Sequence, residues 1–255
     1  MSLLRAEYRK ISRRKLYPGM VAVLLVFVGL GAFFLIVFGE IAPEIAEDLP
    51  VLEKPEVYTV GAQQAMTQTW FPLILAVVLM GGELGSTVWA TSLTRESRKI
   101  RQVLSRLLTY TVASTVAFLL AFGLWVGMAL VFSPGEGFME GGELAGLLWK
   151  GAVISLAWCS LGTGAVALLR SVGPAIGVGL AVYFAETFLA LWDPWENVSL
   201  TAATTALFNV DFGGGGFAGF VPGAGLPLWH QLAILAGWTA LGLGLTWWGL
   251  QRRDA

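Results

Sequence analysis

Between Pro18 and Gly39, between Leu107 and Phe132, and between Gln231 and Leu250, the sequence carries no charged side chain. Runs of roughly 20 apolar residues, rising about 1.5 Å each in a helix, cover the roughly 30 Å hydrocarbon core of a bilayer. Three further runs, Trp70 to Leu93, Leu147 to Leu169 and Pro174 to Trp192, are interrupted by one charge each: Glu83, Lys150 and Glu186. With 56% hydrophobic and 13% charged residues, the chain is too apolar for one water-soluble core to hide what it carries. Lipid is its main solvent. Backbone groups in lipid must bond within their own segment, so the runs are helices, and the two-residue alternation of a membrane β-barrel is absent. The sequence therefore predicts an all-α membrane protein, a single domain over 1–255 with six transmembrane helices at about 18–39, 70–93, 107–132, 147–169, 174–192 and 231–250. Residues 3–16 place Leu4, Tyr8 and Ile11 at helical spacing among Arg and Lys, as an interfacial amphipathic helix does.

Charge sets the expected orientation, because Lys and Arg are retained on the cytoplasmic side of short loops. Fourteen of the sixteen basic residues fall on one side of the six spans: Arg5, Arg9, Lys10, Arg13, Arg14, Lys15, Arg95, Arg98, Lys99, Arg101, Arg106, Arg170, Arg252 and Arg253. Only Lys54 and Lys150 lie opposite, among carboxylates that run from Glu40 to Asp211. Six spans fit this sidedness and put both termini in the cytoplasm, as in a multi-pass protein of a bacterial plasma membrane. The net charge of −1 conceals that split and argues against nucleic-acid binding. The first apolar run is too long for the core of a secretory signal and is expected to stay as a helix.

The external connections are unequal. The longest, from Asp193 to His230, contains the apolar stretch Leu200 to Val210 and the glycine run Gly213 to Gly216. Short re-entrant or interfacial helices are expected there, with the glycines as a hinge. Gly123 with Gly127, and Gly173 with Gly177, have the small-xxx-small spacing that lets helices approach closely, within one chain or between two.

The inventory for catalysis is thin. The one histidine, His230, sits beside Trp229 at the edge of the last span and reads as an interfacial residue; the one cysteine, Cys159, is inside a span. A nucleophile–base pair, paired aspartates, haem ligation and a cysteine zinc site are all unsupported. Segment Gly81 to Thr87 lacks the lysine and spacing of a phosphate loop. No catalytic residue, cofactor or metal site is expected in this chain. Glu83 and Glu186 are the intramembrane candidates, since a carboxylate in hydrocarbon costs at least about 2.5 to 3.5 kcal/mol and must face protein or water, or be protonated. For Glu83 the competing reading is a salt bridge near the inner headgroups; for Glu186, whose place is about 9 Å below the outer surface, a satisfied contact between helices.

The stretch from Glu83 to Arg106, ELGSTVWATSLTRESRKIRQVLSR, resembles the permease family of type-2 ATP-binding-cassette (ABC-2) exporters. In that family the second span ends in a glutamate, followed by a small pair, a Leu-Thr-Arg-Pro-x-Ser-Arg-like turn and a basic residue opening the third span. Glu83, Ser86 with Thr87, Leu93, Thr94, Arg95, Ser97, Arg98 and Arg106 occupy those places. Glu96 stands where proline is usual, and the glutamate-to-threonine spacing is slightly short. The resemblance implies a transport subunit that pairs with a second permease, identical or homologous. It would bind two cytoplasmic ATPase subunits that hold ATP and Mg, docking through a coupling helix that includes Thr94, Arg95, Glu96, Ser97, Arg98, Lys99 and Arg101. Two other readings stand beside it: a proton- or ion-coupled secondary transporter, and a non-transport membrane anchor or assembly subunit.

Overall fold

The computed structural model describes residues 9, 11, 15–37, 54–84, 99–133, 138–139, 141–190, 192–208 and 225–252. In chain order the helices are α1 (Leu16–Ala32), which runs into a π-helical turn at Phe33–Val37, α2 (Lys54–Met66), α3 (Trp70–Leu84), α4 (Lys99–Phe132) and α5 (Gly141–Leu169). They are followed by α6 (Val172–Leu189), the short α7 (Asp193–Glu196) and α8 (Leu200–Ala206), and α9 (Leu228–Gln251).

The expected six-span architecture is corrected by these helices. Among the described residues five are long and apolar enough to cross a membrane: Val57–Leu84, Ile100–Phe132, Gly141–Leu169, Val172–Leu189 and Leu228–Gln251. Helix α1 is apolar but only 17 residues long, a rise of about 26 Å against the roughly 30 Å of hydrocarbon. The placement of both termini on one side rested on the count of six. Of the amphipathic helix expected over 3–16, only Arg9, Ile11, Lys15 and Leu16 are among the described residues.

The span containing α3 begins earlier than its apolar run. Helix α2 leads into it through a break at Thr67, Gln68 and Thr69. Pro72 explains the break: it has no N–H, and its ring clashes with the carbonyl four residues back, so a continuous helix cannot pass through Gln68. Two side chains satisfy carbonyls at the end of α2, Thr67 Oγ1 donating to Gln63 O at 2.8 Å and Gln68 Nε2 to Gln64 O at 3.0 Å. Irregular backbone at this depth needs such partners, because hydrocarbon offers none. The Cys159 thiol of α5 donates to Pro72 O at 3.3 Å.

The bundle is held by close backbone approaches. A Cβ on Gly242 of α9 would lie 2.5 Å from the carbonyl carbon of Ser160 in α5, and one on Gly249 would lie 2.6 Å from that of Ala167. Thr163 and Thr246 share a hydrogen bond of 3.2 Å across the same seam. Gly162 of α5 rests against the Leu73 backbone of α3, and Gly61 of α2 against the Trp125 side chain of α4. In lipid, where apolar side chains gain nothing by leaving the solvent, such small-residue contacts carry much of helix association. Gly123, Gly127, Gly173 and Gly177 are not part of this packing: among the described residues, a Cβ at any of them meets nothing within 4 Å. Helix α1 buries Val21, Leu24, Val28 and Ala32 along one face and packs on α4, where Tyr17 OH donates to Ala113 O at 2.8 Å.

Candidate functional site

Two of the charged residues singled out from the sequence meet. Glu83 lies in the last turn of α3 and Arg106 in the second turn of α4, and Arg106 Nε stands 2.7 Å from Glu83 Oε2 with each side chain 2% exposed. Arg106 Nη1 donates to Gln102 Oε1 of the preceding turn at 3.3 Å, and Gln102 is buried as well. Spacing of four along a helix puts Gln102 and Arg106 on one face. The pair therefore fastens the ends of α3 and α4 on either side of residues 85–98. Thr94, Arg95, Glu96, Ser97 and Arg98 of the coupling segment lie outside the described residues, Lys99 opens α4, and Arg101 is exposed on its first turn.

The same end of the bundle holds Arg170 and Arg252. A Cβ on Gly81 of α3 would touch Val166 and Val172, which places the end of α5 and the start of α6 beside the Glu83 turn. Arg170 follows α5 and donates from Nη2 to Arg252 O, past the end of α9, at 2.8 Å.

Glu186 is placed differently. It lies near the end of α6, 3% exposed, and its carboxylate is surrounded by donors from the connection to α8. Oε1 accepts from Trp195 Nε1 at 3.1 Å. Oε2 accepts from Ser199 Oγ at 2.9 Å, from Leu200 N at 2.8 Å and from Thr201 N at 3.4 Å. Ser199 is at the same time the N-cap of α8, its Oγ accepting from Ala202 N at 3.1 Å. A carboxylate on the first N–H groups of a helix is where the helix dipole favours negative charge. At the far end of this short element, Lys150 Nζ of α5 lies 5.6 Å from the centre of the Phe208 ring. Buried α8 is thus bracketed by a carboxylate at its start and an ammonium at its end. The greasy stretch after Asp193 does form a short buried helix at Leu200–Ala206; Gly213 to Gly216 lie outside the described residues.

His230 joins this cap. Its Nε2 is 2.9 Å from Asn197 O and its ring stacks on Trp229 at 5.3 Å, while Trp238 Nε1 donates to Val198 O at 2.9 Å. Sequence reasoning missed Trp195, Ser199 and Trp238 as partners; the one signal was a serine immediately before the Leu200 to Ala206 run, an N-cap residue type. Among the described residues, no three His, Cys, Asp or Glu side chains gather as a metal site.

No protein-family model matches the chain, and no curated protein matches it. The helices and their composition make it a multi-span, all-α membrane protein.

Proposed function

We propose that the chain is the membrane permease subunit of an ATP-driven exporter of the ABC-2 kind, with ATP hydrolysis carried out by separate cytoplasmic subunits. The observation that carries the reading is the Glu83–Arg106 ion pair. Residues at both ends of the stretch that resembles the family's coupling segment are joined in the low-dielectric interior, so a displacement of the segment between them is delivered to α3 and α4 together. A short cationic segment at a membrane face can also pair with an acidic protein surface. In this proposal Lys99, Arg101, Arg170 and Arg252 face the cytoplasm. Closure of two ATPases pushes the segment around Thr94 to Arg101, and two permeases switch between inward and outward access as rigid bodies. ATP and Mg belong to the partner, and this chain carries no catalytic residue of its own.

The competing ion-coupled carrier needs a carboxylate that loads and releases an ion. Glu83 is paired with an arginine and Glu186 accepts four hydrogen bonds, which favours the permease.

The test is gentle purification from the native membrane followed by mass spectrometry of co-purifying proteins, with and without charge reversal at Arg95, Arg98, Lys99 and Arg101. The proposal expects a stoichiometric soluble ATPase that the reversed variant loses. A folded chain that purifies without an ATPase in both forms overturns it.

A further inference from the structure

Arg170 is the one non-glycine residue among the described residues with positive φ, at 57°. It ends α5, and its N–H donates to Val166 O at 3.0 Å. Glycine is the natural occupant of that left-handed position, where a side chain costs roughly 1 to 2 kcal/mol. Arginine stands there instead, and its exposed guanidinium reaches Arg252 O. Arg252, also exposed, lays its guanidinium 4.1 Å from the centre of the Trp248 ring. Both cations are therefore positioned by neutral partners, a carbonyl and an aromatic face, and among the described residues neither forms an ion pair. Trp247 and Trp248 are 41% and 47% exposed on the last turns of α9, at the level where tryptophans settle among lipid headgroups.

We infer that Arg170 and Arg252 form a binding site for the phosphate of an acidic phospholipid at the basic end of the bundle. Only Arg170 and Ser171 separate α5 from α6, so the Arg170 side chain is held at the bilayer surface and cannot project far into the cytoplasm. That depth, with the exposed tryptophans, favours a lipid headgroup over a soluble protein. The plainer account is that the two arginines only cap the C-termini of α5 and α9. The helix dipoles supply about half a negative charge each, so among the described residues roughly one positive charge remains for a phosphodiester to neutralise.

The experiment measures phosphatidylglycerol retained per protein, relative to phosphatidylcholine, after the full chain is purified through mixed micelles of the two lipids. Each arginine near a headgroup contributes about a 5-fold preference, so the pair gives about 25-fold, falling to about 5-fold in R170Q or R252Q and to near parity in R170Q/R252Q. Because the glutamine variants can lose helix capping, R170K and R252K are measured beside them; retention of most of the preference by the lysine forms supports a charge-based site. The preference should also fall at 0.5 M salt, where the screening length is well under 10 Å. Equal retention of the two lipids by the wild-type chain, or a preference unchanged in R170Q/R252Q, overturns the inference. Loss of a co-purifying soluble protein from R170Q/R252Q with lipid retention unchanged does so too, and assigns the arginines to a protein partner instead.

Discussion

Removing one member of the Glu83–Arg106 pair should be among the most damaging single changes in the chain. At 2.7 Å the Coulomb attraction of two unit charges is about 6 kcal/mol at an effective dielectric constant near 20. Most of that is offset by the cost of taking both charges out of water, so the pair's net contribution is small. Truncating one partner exposes the asymmetry. In R106A the buried Glu83 carboxylate loses the charge 2.7 Å from it, and removing one partner of a buried ion pair costs about 3–5 kcal/mol. E83A should cost a similar amount by removing the carboxylate that faces the buried guanidinium, whereas E83M/R106M, which removes both charges and fills the space, should cost far less than the sum of the single variants. The assay is unfolding of the purified protein in mixed micelles by denaturing detergent, followed by far-UV circular dichroism, with all three variants in one double-mutant cycle. Single variants that each cost under about 1 kcal/mol, or a double variant whose cost equals the sum, would refute the reasoning.

Three other outcomes follow from the packing. Gly242→Ala should destabilise the protein by about 1–3 kcal/mol, because its Cβ would lie 2.5 Å from the Ser160 carbonyl carbon and α5 and α9 must part to admit it. Gly177→Ala, whose Cβ meets nothing within 4 Å among the described residues, should be neutral or stabilise by up to about 1 kcal/mol; the same unfolding assay separates the two. Glu186→Ala leaves Trp195 Nε1, Ser199 Oγ and two backbone N–H groups short of an acceptor and should cost about 2–5 kcal/mol. It should also speed hydrogen exchange of residues 199–206, read by mass spectrometry of peptic fragments; unchanged exchange there would contradict the capping role. Lys150→Met removes the cation over Phe208 and should cost about 0.5–2 kcal/mol, with the same local rise in exchange but a smaller one.

The membrane character was legible because long uncharged runs admit no other solvent, and the short helix after Asp193 was legible because its stretch is too apolar for a solvated loop. The span boundaries were not. Helix α2 carries Lys54, Glu56, Gln63 and Gln64, so it reads as an external loop, although Val57, Tyr58, Val60, Ala65 and Met66 are buried against the bundle. Helix α1 has an apolar run long enough to span, but its α-helix gives way to a π turn at Phe33, a backbone choice that hydropathy does not encode. The glycines show the limit most plainly. Gly123 with Gly127 and Gly173 with Gly177 have the spacing for close packing, yet the close contacts fall on Gly162, Gly164, Gly242 and Gly249. In a helix that is apolar all round, no pattern of polarity marks which face meets a neighbour. At the charged positions, Glu83 and Arg106 were both singled out but not as each other's partner. The helical rise gave Glu186 a depth, while its hydrogen-bond donors come from residues 195–201, whose return to α6 depends on tertiary structure.

The central claim is that the segment between α3 and α4 docks on a cytoplasmic ATPase. Its most direct test is a photo-crosslinking amino acid placed at Ser97, irradiated in intact native membranes, with the adduct identified by mass spectrometry. The account predicts a crosslink to a soluble nucleotide-binding ATPase that changes in yield when ATP is depleted. A folded, membrane-inserted chain whose crosslinks reach only lipid or other membrane-embedded proteins would contradict it.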